Sequence, residues 1–358
     1  MTSPTQDSPP VGATMEDRLV TVLNDAGLAL MLSIGHRTGL LDALGGGHPA
    51  TVAQLAEASG CQSRYVREWL GALTVAGIAE HAPEPETYWL TAESAALLTR
   101  ASCNNLAVFM QYIAVLGAVE DRVVDCFFRG GGVGYEHFPR FHDVMAEDSA
   151  LTVLAALEDR ILPLVDGLVA RLTQGARVLD IGCGHGRALI RLARAYPKSA
   201  FVGVDLSPEA IRVARAGAAG LANVEFLVGD AARLDDYLPR HTIDLALTFD
   251  AIHDQADPAA VLRAIRASLR DDGVYLAQDI NSSGAHSTDR DHPLGPFLYA
   301  ISTMHCMTVS LARDGDGLGT MWGVPTAQRM LREAGFGDIT VHQLPHDAQN
   351  VYYTSRAA

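Results

Sequence analysis

Apolar positions change period along the 358-residue chain, and each change marks a different kind of element. From Met15 onward, Leu19, Val22, Leu23, Ala26 and Leu30 recur at helical spacing. Thr51 then reads as the cap of a short helix that Gly60 ends, and Ser63 as the cap of a second with Val66, Leu70, Leu73 and Ala76 on its apolar side. Two short extended pieces follow, at residues 78–81 and 88–90, joined across Pro83-Glu84-Pro85. Residues 101–174 read as mostly helical, broken by the glycine-rich run Gly130-Gly131-Gly132-Val133-Gly134-Tyr135. From residue 176 the pattern becomes strand-helix alternation. Apolar runs near 176–181, 200–205, 224–228, 243–249 and 273–278 read as strands buried on both faces. An insert at 281–323, a helix at 326–334 and two closing strands at 338–343 and 350–355 complete the chain.

Composition narrows the class. With 48% hydrophobic and 19% charged residues the chain can bury a sizeable core. A net charge of −15 opposes nucleic-acid binding, which is driven by Lys and Arg displacing counterions from phosphates. Five scattered cysteines, none in a C-x-x-C pair, predict a reducing cytoplasmic setting. No apolar stretch is expected to be long enough to span a bilayer, so no membrane association is predicted. Residues 1–14, rich in Pro, Ser and Thr, are expected to be a disordered tail and not a signal peptide.

The densest chemistry lies in Val178-Leu179-Asp180-Ile181-Gly182-Cys183-Gly184-His185-Gly186. A buried strand breaks into three glycines at alternate positions, which lets the backbone approach a ligand closely, and a helical pattern follows. The next strand ends at Asp205, 25 positions after Asp180, where a carboxylate can accept from both hydroxyls of a ribose. A dinucleotide site favours G-x-G-x-x-G, whereas here the spacing is G-x-G-x-G with an acid just before it. That acid suits an ammonium group better than a pyrophosphate.

Taken together these residues resemble the first motif of class I S-adenosylmethionine-dependent methyltransferases. Asp205 is similar to that family's ribose-binding acid, with Leu206 beside it, and Val228-Gly229-Asp230-Ala231 to its adenine-binding turn. Thr248-Phe249-Asp250-Ala251-Ile252-His253-Asp254 resembles the segment beside the cofactor's methionine end. The resemblance implies a Rossmann-like seven-stranded sheet over residues 175–358, preceded by an all-helical winged-helix domain at 15–100 and a helical bridge and lid at 101–174. It implies S-adenosylmethionine as cofactor, held by Asp180, Gly182, Cys183, Gly184, Asp205, Leu206, Gly229, Asp230, Ala231, Phe249 and Asp250. Tyr135 is expected to reach the cofactor or acceptor from the lid. A winged helix invites a DNA-binding regulator, but its second helix offers only Arg64 and Arg67 beside Glu68. The family's other use of the module is homodimerisation over the active site.

For methyl transfer the protein aligns an acceptor and removes its proton, and a histidine near the operating pH serves best. His253 matches the base of winged-helix O-methyltransferases, with Asp254 expected to orient its ring or hold cofactor. A small, fairly apolar acceptor is expected to meet Phe297, Met304, His305 and Trp322, the last bracketed by glycines as a mobile wall. A subgroup that methylates carbon beside a 2-keto acid implies a second reading, in which His253 and His305 hold a divalent metal that polarises the substrate.

Overall fold

The computed structural model describes residues 14–102 and 104–357, and apart from Thr14 the expected tail lies outside them. The chain divides into two compact units, one up to Ala118 and one from Val119. The helical stretch at 101–174 is therefore shared between them, with the helix Ala107–Gly117 in the first unit.

The first unit opens with a helix at Met15–Thr38, capped by reciprocal bonds between Thr14 and Asp17. Its later part turns Ala29, Leu32 and His36 inward, whereas Leu19, Val22 and Leu23 stand exposed. This helix corrects one expectation. It has 24 residues and a window of mean hydropathy 1.4, so by length and composition it could cross a membrane, although 28% of that window is buried within the protein. Short helices at Val52–Ser59 and Ser63–Val75 follow, then a two-stranded ribbon of β1 (Glu80–Pro83) and β2 (Glu86–Trp89). Thr51 caps the first of these helices as expected, but the residue preceding the second is Gln62, without a side-chain capping bond, and Ser63 is already helical. The ribbon is shifted from the expected 78–81 and 88–90. Pro83 is tolerated in β1 because β1 pairs only with β2 and leaves its other edge unpaired. Leu41, Leu44, Leu55, Val66, Leu70 and Leu73 form the core, around a Trp69 whose indole N–H donates to the Met31 carbonyl at 2.9 Å.

In the second unit seven strands form one sheet: β3 (Arg177–Ile181), β4 (Ala200–Asp205), β5 (Val224–Val228), β6 (Ile243–Phe249), β7 (Leu269–Ile280), β8 (Phe336–Leu344) and β9 (Asp347–Ala357). Their order is β5-β4-β3-β6-β7-β9-β8, with β3 to β7 parallel and β9 antiparallel to both neighbours. Neighbouring side chains of β3 serve opposite layers. Val178 packs with Leu189, Leu192 and Ile211, while Leu179 and Ile181 pack with Val261, Leu262 and Ile265. Burial on both faces is why these runs carry no polar alternation. The last helix, Val324–Glu333, begins two residues earlier than expected, after Gly323. The chain moves outward from β3 to β5, then returns to β6 on the other side. This reversal opens a crevice at the carboxyl ends of β3 and β6, where such sheets bind ligands.

Candidate active site

At the carboxyl end of β3 the backbone does most of the shaping. Gly182, Gly184 and Gly186 have φ of 68°, 53° and 67°, a region that other residues enter only under strain. A Cβ at Gly182 would lie 2.5 Å from the Ala251 methyl, and one at Gly186 would lie 2.4 Å from the Phe226 ring. Gly184 has nothing within 4 Å on that side, so this turn faces open space. Its N–H donates to Asp205 Oδ2 at 2.8 Å, and the Ser207 N–H donates to Oδ1 at 2.8 Å. Asp205 is thereby fixed against the glycine turn with further lone pairs available. Asp180 is buried in β3, where burial and the nearby Asp205 hold its carboxyl well above the usual carboxylate range. Two acids this close favour a cationic ligand.

Of the other residues expected to hold the cofactor, Leu206 is 39% exposed and offers apolar surface next to Asp205. Gly229 donates its N–H to the Asp205 carbonyl at 3.0 Å and has the Tyr237 ring where a Cβ would go. Ala231 is buried just after it. Asp230 accepts from the Ala232 N–H at 3.0 Å and pairs with Arg313 at 3.2 Å, so part of its acceptor capacity is already used. Cys183 is half-buried, its sulfur packed against Gly203. Phe249 ends β6, and Asp250 follows with φ of 50° and a buried Oδ1 that has no partner.

The residues expected to meet the acceptor are assembled from distant segments. His253 is buried after β6, and its Nδ1 lies 2.7 Å from Asp279 Oδ1 near the end of β7. The same oxygen accepts the Trp322 indole N–H at 3.1 Å and the Ile280 N–H at 2.8 Å. Burial works to lower the His253 pKa, but the Asp279 carboxylate and the hydrogen-bonded Cys306 sulfur prevail, so the ring titrates well above the usual histidine range. Asp279, at the tip of the fifth parallel strand, was thus the missing partner. Asp254 does not orient His253. It accepts instead from the Tyr135 hydroxyl and, at 3.3 Å, from the Gln255 amide. Burial and Asp254 raise the Tyr135 phenol well above its usual range, which keeps it a donor.

Trp322 departs from the expected mobile wall. It is buried in the β6–β7 core layer, and Gly323 behind it lies so close to Ser283 and Gly284 that a Cβ would sit 2.6 Å from the Gly284 nitrogen. His305 lies on a π-helical turn at Ser302–Cys306, 1% exposed, with neither ring nitrogen hydrogen-bonded. Phe141 stacks on it at 3.4 Å, and Phe138 and Tyr135 meet it edge-on at 4.7 and 5.0 Å. Burial, His142 and His253 hold its pKa well below the usual range, so it is neutral. Met304 and Phe297 are half-buried nearby in sequence. Sequence reasoning missed Phe138 and Phe141, because nothing local marks them off from ordinary core.

The expected metal pair is not what the geometry groups. Among the described residues, the three side chains with ligand atoms within 4.8 Å of one another are Asp250, His253 and Asp279, without His305. His253 Nδ1 faces Asp279, and among the described residues His305 joins no such group with His253.

Residues 26–100 match the Rv2258c-like winged HTH domain family, and residues 172–322 match a methyltransferase domain family. A methyltransferase of Aspergillus terreus, pytC, is 29% identical over 58% of this chain; the match spans 64% of that relative's length. Among solved structures, human N-acetylserotonin methyltransferase with S-adenosylmethionine superposes with a TM-score of 0.70 at 19% identity, covering 97% of this chain and 99% of that one. A putative O-methyltransferase of Nostoc punctiforme gives 0.71 at 19% identity, covering 96% and 100%. At such identities these likenesses establish the fold.

Proposed function

We infer, from a chain that belongs to the S-adenosylmethionine-dependent methyltransferases with an N-terminal winged helix, that it methylates a hydroxyl of a small, fairly apolar molecule with His253 as general base. The observation that carries this reading is the buried His253–Asp279 pair at the carboxyl end of β6, across the crevice from the glycine turn. S-adenosylmethionine supplies an activated methyl group on a sulfonium; Gly182, Gly184 and Asp205, with Asp180 and Asp250, are the residues that would hold it. Their surplus of buried acid fits a cationic ligand. The acceptor's hydroxyl proton would pass to the His253 ring nitrogen away from Asp279 as its oxygen bonds the methyl group released from the sulfonium, which would be left as a neutral thioether. Asp279 stabilises the imidazolium so formed.

The metal-assisted reading on a 2-keto acid draws support from the two unpartnered nitrogens of His305. Against it, among the described residues His305 joins no group of three potential ligands with His253. The deciding experiment is an acceptor screen with labelled cofactor before and after chelation. O-methylated product that survives chelation supports the base reading, and strict dependence on restored metal sinks it.

We place the protein in the cytoplasm as a homodimer formed through the first unit. Met15, Leu19, Val22, Leu23 and Ile34 expose an apolar row on one helix, which a second copy would cover. Sedimentation equilibrium tests this, with Leu23→Glu expected to shift the mass to the monomer; vesicle flotation of the wild type would point to a membrane instead. Nucleic acid is a poor partner for that unit. Arg64 is paired with Glu68, and Arg67 with Glu86 at 3.1 Å, so each of these arginines on the second helix of the module has an acid beside it.

A further inference from the structure

The groups an acceptor has to meet are sealed. His253 is 4% exposed, His305 1% and Cys306 6%, so access requires something to move. Tyr135 is one of the rings packed on His305, and it sits at the end of the glycine-rich run 130–135. That run is built as a hinge followed by a seat. Gly130 and Gly131 have φ of 72° and 77°, and a Cβ on either would meet nothing within 4 Å. At Gly132 the backbone lies directly on the helix Met307–Leu311: a Cβ there would fall 1.9 Å from the Thr308 carbonyl oxygen and 2.4 Å from the Ala312 nitrogen. The Val133 N–H donates to the buried Thr308 Oγ1 at 2.8 Å, and the Val133 side chain is buried. Beyond it the Tyr135 hydroxyl donates to Asp254, next to the base.

We propose that residues 130–135 form a strap, seated on Thr308 and latched by Tyr135 on Asp254, which must lift to admit the acceptor to His253 and Cys306. Thr308 is then a positioning residue: it touches neither reacting atom but sets where Tyr135 comes to rest. The proposal rests on the reading that the acceptor meets His253, while the seat itself is independent of any acceptor.

Cys306 provides a reporter that needs no turnover: its thiol is buried, next in sequence to the His305 ring on which Tyr135 packs. The full-length protein is alkylated under native conditions, and peptide mass spectrometry separates Cys306 from Cys61, Cys103, Cys126 and Cys183. Thr308→Val and Tyr135→Phe should each speed Cys306 alkylation by about tenfold, the factor that one net hydrogen bond can carry. Thr308→Ser keeps the hydroxyl and should label at the wild-type rate. Unchanged Cys306 labelling in both opened variants, with unfolding midpoints preserved, would overturn the strap. So would a rise shared by all five thiols, which is global loosening. If no acceptor is ever methylated, the proposed reaction fails while this readout still decides the strap.

Discussion

The two halves of the crevice are made of different material. On the donor side, the turn at 182–186 is shaped by glycine backbone and by amide N–H groups that fix Asp205. On the other side, Tyr135, His253, Asp279, His305 and Trp322 come from five separate segments and meet through side-chain contacts. A donor common to many reactions can be held by one local motif. The acceptor depends on long-range packing. Variants in the two halves should therefore fail differently, one in cofactor affinity and the other in rate.

The largest separation is expected at His253. His253→Ala removes the proposed base and should lower kcat by ~10²–10⁴-fold, while calorimetry should find cofactor affinity close to wild type. A comparable loss of cofactor affinity would mean that the halves are not separable there. Asp279→Asn comes next, at ~10²-fold, because the imidazolium loses its counter-charge. Its pH dependence carries a sign. If His253 is the base, the raised pKa should make wild-type activity climb as pH rises above the usual histidine range, since only the neutral ring accepts a proton. With Asp279 neutralised, burial dominates and the climbing limb should move to lower pH. Stability follows the same linkage. The charged pair stabilises the fold below the unfolded histidine pKa of about 6.5, and that contribution fades as pH rises through the raised folded pKa. The wild type should therefore lose its stability advantage over Asp279→Asn as the pH is raised.

On the donor side, Asp205→Ala should weaken cofactor by about 2 kcal/mol, the scale of a charged hydrogen-bond partner, with a smaller change in kcat at saturating cofactor. Unchanged affinity by calorimetry would remove Asp205 from the site.

This contrast also explains what could be read in the chain beforehand. The glycine turn, Asp205 and the parallel strands are legible because each is a short-range pattern tied to one backbone geometry. His253 is legible for the same reason, since it follows the fourth parallel strand directly. Its true partner is not. Asp254 is adjacent in sequence and was expected to orient the ring, but the parallel pairing of β6 with β7 brings Asp279 there instead. Trp322 misled for a related reason. Flanking glycines suggest mobility, yet Gly323 is there because backbone approaches backbone, which pins the indole in place.

Trp322 supplies the finest test of the contrast, because its indole N–H shares the Asp279 oxygen with His253. Asp279 Oδ1 takes three donors, from His253, Trp322 and Ile280. Trp322→Phe removes one of them and leaves the carboxylate less well compensated, so it should draw the His253 proton more strongly. The activity limb is expected to move to higher pH, opposite to Asp279→Asn, and stability to fall by about 1 kcal/mol. Cofactor affinity should not change, because no donor-side contact is lost. A shift of the limb to lower pH would mean that the indole acts on His253 by packing and not through the shared oxygen. The acceptor half would then be held together by shape more than by its hydrogen bonds.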